Sequence, residues 1–138
     1  MTTGQPSLYA YPDIPSLSRS LRTYILNAQT LGITRHGVFK IAVSGGSLPK
    51  TLAAALLPEA SGPEDVVQWG KWEIFFADER AVALDHEDSN YGLLKTELLD
   101  KIQGDRPTVH AIDTDVLGDV QELADRYEQL LVRSFASR

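Results

Sequence analysis

Cysteine is absent from this 138-residue chain, which excludes disulfides, thiolate catalysis and sulfur-based zinc sites and is compatible with a reducing compartment. Long apolar runs are lacking too, since no stretch approaches the ~20 apolar residues of a membrane helix. The opening Met1-Thr2-Thr3-Gly4-Gln5-Pro6 has neither the basic start nor the apolar centre of a signal peptide, so a cytoplasmic location without a membrane partner is expected. Basic clusters are missing as well. With 13 Lys and Arg against 19 Asp and Glu, the net charge is −6, a balance that disfavours nucleic acid, which a basic stripe usually meets. A small anionic ligand stays open, because backbone N–H groups and one or two cations act at contact distance, whereas the global field is screened beyond about 10 Å.

What is present suits one globular domain. The chain is 43% hydrophobic and 23% charged, enough to bury roughly two-thirds of its unfolded surface. Residues 1–13, polar and carrying Pro6 and Pro12, read as a mobile entry segment, and residues 14–138 as the domain. Leu17, Leu21, Tyr24, Ile25 and Ala28 recur at helical spacing, with Ser16 as N-cap and Gly32 as the stop. A strand from Val38 to Val43 then leads into a short helix, Leu48 to Leu57, opened by Ser47 and closed by Pro58. After a turn-rich loop, Trp72 to Ala77 is almost continuously apolar, as in a strand covered on both faces. Leu93, Leu94, Leu98 and Leu99 mark a third helix capped by Asp88 or Ser89, and Thr108 to Ile112 a third strand. The last helix carries the stripe Val120, Leu123, Ala124, Tyr127, Leu130, Leu131 and Phe135, with Asp119 and Glu122 as a capping box.

Alternating strands and helices imply an α/β fold with a parallel sheet, so that every strand delivers its carboxyl end to one edge. Three strands are few for such a sheet. A further strand is expected after the last helix, which makes the fold incomplete at the C-terminus.

Two strand ends carry the chemistry. Ser44-Gly45-Gly46-Ser47 lies between a strand and a helix, where glycine lets a ligand approach the main chain and free N–H groups stand at the positive end of the helix. By itself the segment serves equally as a phosphate cradle or as a tight turn with Ser47 as an ordinary cap. It is neither a Walker A loop nor a dinucleotide fingerprint. Asp78-Glu79-Arg80 ends the second apolar strand. Arg80 offers a planar fork for phosphate or carboxylate oxygens, and Asp78 can accept a proton or bond a sugar hydroxyl, the alternative being a solvated turn or an ion pair. Two polar clusters at equivalent strand ends favour a ligand crevice. Ser89-Asn90-Tyr91-Gly92 opens the third helix and adds either ligand contacts or a plain N-cap with the tyrosine packed inward.

His36, His86 and His110 are scattered. Asp85-His86-Glu87-Asp88 suggests a metal, but adjacent loop residues rarely converge on one without distant ligands, so no metal site is expected, and His110 reads as structural. No G-x-S-x-G elbow is present.

Taken together, I-A-V-S-G-G-S-L-P-K, then W-E-I-F-F-A-D-E-R-A-V, then D-S-N-Y-G-L-L resemble 6-phosphogluconolactonase, of the glucosamine-6-phosphate isomerase/deaminase-like superfamily, from about Val38 to Leu99. The resemblance implies a Rossmann-like α/β fold and hydrolysis of 6-phospho-D-glucono-1,5-lactone to 6-phosphogluconate, in the oxidative pentose phosphate pathway, without cofactor or metal. It implies that Ser44, Gly45, Gly46 and Ser47 hold the phosphate, that Arg80 and Asn90 bind substrate, and that Asp78 stands near the sugar in a supporting catalytic role. Sibling deaminases typically carry Asp-Glu-Tyr at the second motif, so Arg80 and the following Ser-Asn-Tyr-Gly favour the lactonase. The family's G-x-D-G-H turn, whose histidine activates water, is not matched by any of the three histidines here. Two alternatives therefore stand beside a lactonase: a non-catalytic or truncated sugar-phosphate binder, and a sugar-phosphate deaminase or isomerase relative. The sequence carries no reading of oligomeric state.

Overall fold

The computed structural model describes residues 4–136. Helix α1 (Ile14–His36) precedes strand β1 (Phe39–Val43), helix α2 (Leu48–Leu56), strand β2 (Trp72–Phe76), helix α3 (Asn90–Glu97), the two-residue strand β3 (Thr108–Val109) and helix α4 (Val120–Ala136). The strands form one parallel sheet in the order β1-β2-β3, with Phe39 opposite Trp72 and Val43 opposite Phe76. Both predicted strand ends therefore reach the same edge.

Alternation along the strands divides the core. Phe39, Val43, Trp72, Ile74 and Phe76 pack with Ile25 of α1, Leu52 and Leu56 of α2, and Leu94 of α3. On the opposite face Phe75, 0% exposed, stacks on His110 with ring centroids 4.5 Å apart and meets Phe135 of α4 at 5.1 Å. Lys40 places its ammonium over the Phe135 ring and bonds the Ser134 carbonyl, which ties α4 to β1. Strand β2 is thus covered on both faces, as its apolar run predicts.

Boundaries differ from the sequence reading for identifiable reasons. Asp13, not Ser16, caps α1, its carboxylate accepting the Ser16 N–H at 2.8 Å. The helix also runs through Gly32 to Gly37, which takes the left-handed conformation at φ 77° that ends many helices. Gly32 marks a close approach to β1 instead of a stop: a Cβ there would lie 3.1 Å from the Val38 carbonyl. Tyr24, placed on the apolar stripe, is 73% exposed, and Leu26 is buried instead. Asp119 accepts the Glu122 N–H, but the Glu122 side chain turns to Arg126, so only half of the capping box forms.

Strand β3 stops at Val109, three residues before the predicted end. The His110 N–H still bonds the Ile74 carbonyl, but the following ladder bond is replaced by a side chain. The Tyr127 hydroxyl accepts from the Phe76 N–H at 2.8 Å and donates to the His110 carbonyl at 2.9 Å, holding the strands apart. Burial pushes the Tyr127 hydroxyl pKa up, keeping it a donor.

Two polar knots secure the α1 side. Gln29, 2% exposed, accepts from the Trp72 indole N–H and the Gln68 N–H and donates to the Val66 carbonyl. Arg22 bonds the Asp65 carboxylate and the carbonyls of Ala55, Pro58 and Asp65. That guanidinium, with the Ser61 N–H and hydroxyl, holds the Asp65 carboxyl at about 2, well below the usual carboxylate range. A carboxyl depressed in the folded state stabilises it fully above the unfolded pKa of about 3.9 and progressively less as pH falls toward the folded value. Urea midpoints of wild type and Arg22→Met are therefore expected to differ at pH 6 and to draw closer between about pH 4 and pH 2, leaving the part due to the three carbonyl bonds. A constant difference across that window would show that the pair contributes nothing through Asp65.

Candidate functional site

The sheet edge formed by the carboxyl ends of β1 and β2 is built from three short segments. At the end of β1 the chain breaks at Ser44 and turns through Gly45 and Gly46 into α2. The two glycines answer different demands. Gly46 adopts φ 67°, a left-handed conformation costly for any residue with a Cβ. Gly45 is required by proximity, because a Cβ there would overlap the Asn90 side-chain amide. Ser47 occupies the N-cap position of α2 but makes no side-chain capping bond. The positive end of α2 is accordingly left without a side-chain cap among the described residues, beside the exposed Gly46 and Ser47.

Asp78-Glu79-Arg80 follows β2 directly. The Ala77 N–H extends the ladder by one bond to the Val43 carbonyl, which holds the two strand ends together. The Ser44 hydroxyl bonds the Asp78 carboxylate across the gap. Arg80 is exposed, and its guanidinium pairs with no carboxylate among the described residues. It lines a groove of about 390 Å³ with Asp78, Glu79, Ile112 and Tyr127, between the end of β2 and α4. The ion-pair alternative for Arg80 is not what the fold adopts.

Ser89-Asn90-Tyr91-Gly92 opens α3, with the Ser89 hydroxyl accepting the Gly92 N–H at 3.1 Å as its cap. Asn90 is buried against the first two segments, its Nδ2 donating to the Asp78 carbonyl at 3.0 Å and its Oδ1 lying over Gly45. Tyr91 turns inward toward Phe76. The structure thus brings Ser44, Gly45, Asp78 and Asn90 into direct contact. Arg80 shares the groove with Asp78, whereas Ser44, Gly45, Gly46, Ser47 and Asn90 stand to its side and do not line it.

Glu79 is the residue that sequence reasoning passed over. Its carboxylate accepts the N–H groups of Asn90 at 2.6 Å and Tyr91 at 2.9 Å, and also the Ser89 hydroxyl and the Arg80 N–H. An acid ten residues ahead of a Ser-Asn-Tyr-Gly helix start is the signal that could have found it. The histidines lie elsewhere. His110 bonds Glu73 at 2.9 Å in the sheet, His86 accepts the Asp88 N–H, and His36 is in the last turn of α1. Among the described residues no group of three or more metal-ligating side chains comes together, and no described helix is long and apolar enough to cross a membrane.

A parallel sheet with a glycine turn, an uncapped helix start and an unpaired arginine at the carboxyl ends of adjacent strands defines an open α/β protein with its polar groups gathered at one sheet edge, where such folds bind ligands. Comparison with known proteins narrows that class. Residues 12–138 match the family described as glucosamine-6-phosphate isomerases/6-phosphogluconolactonase. A probable 6-phosphogluconolactonase of Schizosaccharomyces pombe is 41% identical over 136 residues, covering 95% of this chain and 51% of that protein. The 6-phosphogluconolactonase of Trypanosoma cruzi superposes with a TM-score of 0.70 at 26% identity, over 97% of this chain and 52% of the other. The crystal structure of devB protein gives a TM-score of 0.67 at 30% identity, over 89% of this chain and 48% of the other. The chain belongs to the glucosamine-6-phosphate isomerase/6-phosphogluconolactonase family, and it spans about half the length of the curated relatives it matches.

Proposed function

We propose that this chain supplies the phosphate- and sugar-binding part of a site that hydrolyses 6-phospho-D-glucono-1,5-lactone to 6-phosphogluconate in the cytoplasm. In this reading the amides of Gly45, Gly46 and Ser47 and the Ser47 hydroxyl receive the phosphate at the start of α2, while Ser44 lines the cradle with its hydroxyl tied to Asp78. Arg80 supplies the cation, Asn90 packs between the glycine turn and the Asp78 backbone, and Asp78 faces the sugar. The observation that carries the reading is the convergence of three sequence-distant motifs on one sheet edge, with Ser44 and Asn90 both bonded to Asp78. The names of the relatives supply the substrate.

The chemistry needs a nucleophilic water and stabilisation of the oxyanion that forms as the lactone opens. A positioned general base contributes roughly 10²–10⁴-fold, and prearranged charge a comparable factor. Asp78, bonded to the Ser44 hydroxyl, is placed to orient the sugar, and Arg80 to balance anionic charge.

Calorimetric titration with 6-phosphogluconate tests the binding half. A charge-assisted hydrogen-bonding group contributes about 1.5–3 kcal/mol, so Arg80→Ala is expected to weaken binding at least about tenfold, with Arg80→Lys recovering part of the loss. Equal affinity in wild type and Arg80→Ala would remove Arg80 from the site. Lactone consumption by the purified chain, measured above the spontaneous rate, tests the hydrolytic half.

A further inference from the structure

We propose that Glu79 is a positioning residue for the anion cradle, acting through the backbone of Asn90. The pathway is continuous. The Glu79 carboxylate sits at the start of α3, takes the N–H groups of Asn90 and Tyr91 and receives the Ser89 hydroxyl. These bonds fix where the first residue of α3 stands. From that position the Asn90 amide reaches the other two segments, bonding the Asp78 carbonyl and filling the space above Gly45. Asp78 in turn holds the Ser44 hydroxyl. A shift of α3 by a fraction of an ångström therefore moves the wall against which Gly45 is packed and the carboxylate to which Ser44 is tied.

The division of labour between two carboxylates follows from this. Asp78 is exposed at the crevice, while its neighbour Glu79 has its oxygens committed to N–H and O–H donors. The same commitment makes the two helix starts unlike: α3 is closed by a carboxylate, and α2 has no side-chain cap. An anion arriving at this edge meets repulsion at one helix and open donors at the other, which directs it to Gly45–Ser47.

The inference rests on the cradle being the phosphate site, yet its test needs no ligand. Backbone amide exchange of the full chain is followed by NMR in wild type, Glu79→Gln and Asn90→Asp. Glutamine keeps the length of the side chain but turns an N–H₂ toward the donors, and aspartate keeps the shape of Asn90 but loses the donor to Asp78. In both variants the amides of Gly45, Gly46 and Ser47 are expected to shift and to exchange about tenfold faster, although neither substitution lies in that segment. Changes confined to residues 79–92 in folded variants would overturn the proposal. Should Glu79→Gln not fold, Glu79→Asp, which keeps the charge but falls short of the Asn90 and Tyr91 N–H groups, decides by the same criterion. Titration of 6-phosphogluconate then separates the two readings: a wild type that fails to bind it defeats the proposed function, while the exchange result still decides the role of Glu79.

Discussion

Gly45→Ala is expected to loosen the cradle and weaken 6-phosphogluconate binding by at least about tenfold, together with a loss of about 1–3 kcal/mol in stability from overpacking. The added methyl group would collide with the Asn90 amide. That amide cannot swing aside cheaply. It is buried, its nitrogen is bonded to the Asp78 carbonyl, and its own backbone is clamped by Glu79. The strain is relieved only by moving the turn or by breaking the Asn90 contacts, and either displaces Ser44 from Asp78. A double-mutant cycle separates this cause from a general intolerance of the turn. In Gly45→Ala combined with Asn90→Ala the collision disappears, so the pair is expected to cost less stability than the sum of the single changes. Additive losses would mean that the two residues do not press on one another.

Phe75→Ala is expected to give the largest loss of stability, about 3–5 kcal/mol, and to lower the melting temperature by roughly 10–20 °C. The ring lies in the central strand at 0% exposure, between His110 and Phe135. Few neighbours can collapse into the space, because this face of the sheet is covered chiefly by α4 and by the strand-end residue His110. Against a total stability of about 5–15 kcal/mol for a domain, such a loss leaves little margin. Thermal unfolding followed by circular dichroism measures it, and a shift of only a few degrees would show that Phe75 is not central to the fold. Phe75→Leu, which keeps most of the buried volume, is expected to recover more than half of the lost stability.

The strand ends and their sequence motifs were legible because each depends on local chemistry. An apolar run stops, glycine or charge follows, and a helix begins. The order of elements and the parallel sheet followed from the same alternation. What was not legible depends on distance. The role of Gly45 is set by a residue on another helix, and the length of β3 by a tyrosine on α4. Glu79 looked like one more charge in a polar turn, since nothing in Asp78-Glu79-Arg80 shows that its middle carboxylate faces a helix start. The stop at Gly32 was misread because a glycine packed against a strand and a glycine ending a helix look alike in sequence. Gln29 was invisible for the same reason, its partners being contributed by Val66, Gln68 and Trp72.

The tyrosine wedge between β2 and β3 also bears on when this fold can form. The Tyr127 hydroxyl joins the Phe76 N–H, 51 residues upstream, to the His110 carbonyl, 17 residues upstream. Strands β1 and β2 can pair and cover one face with α1 and α2 early, and β3 can join them, but the Phe75 face and the Phe76 N–H stay open until α4 docks. Closing so long a loop is entropically slow, and its reward comes only with the last helix. The rate at which α4 arrives therefore sets how long an apolar sheet face is exposed to other chains, and a folding helper or a lower protein concentration is expected to raise the yield of refolded protein more than any change at the crevice.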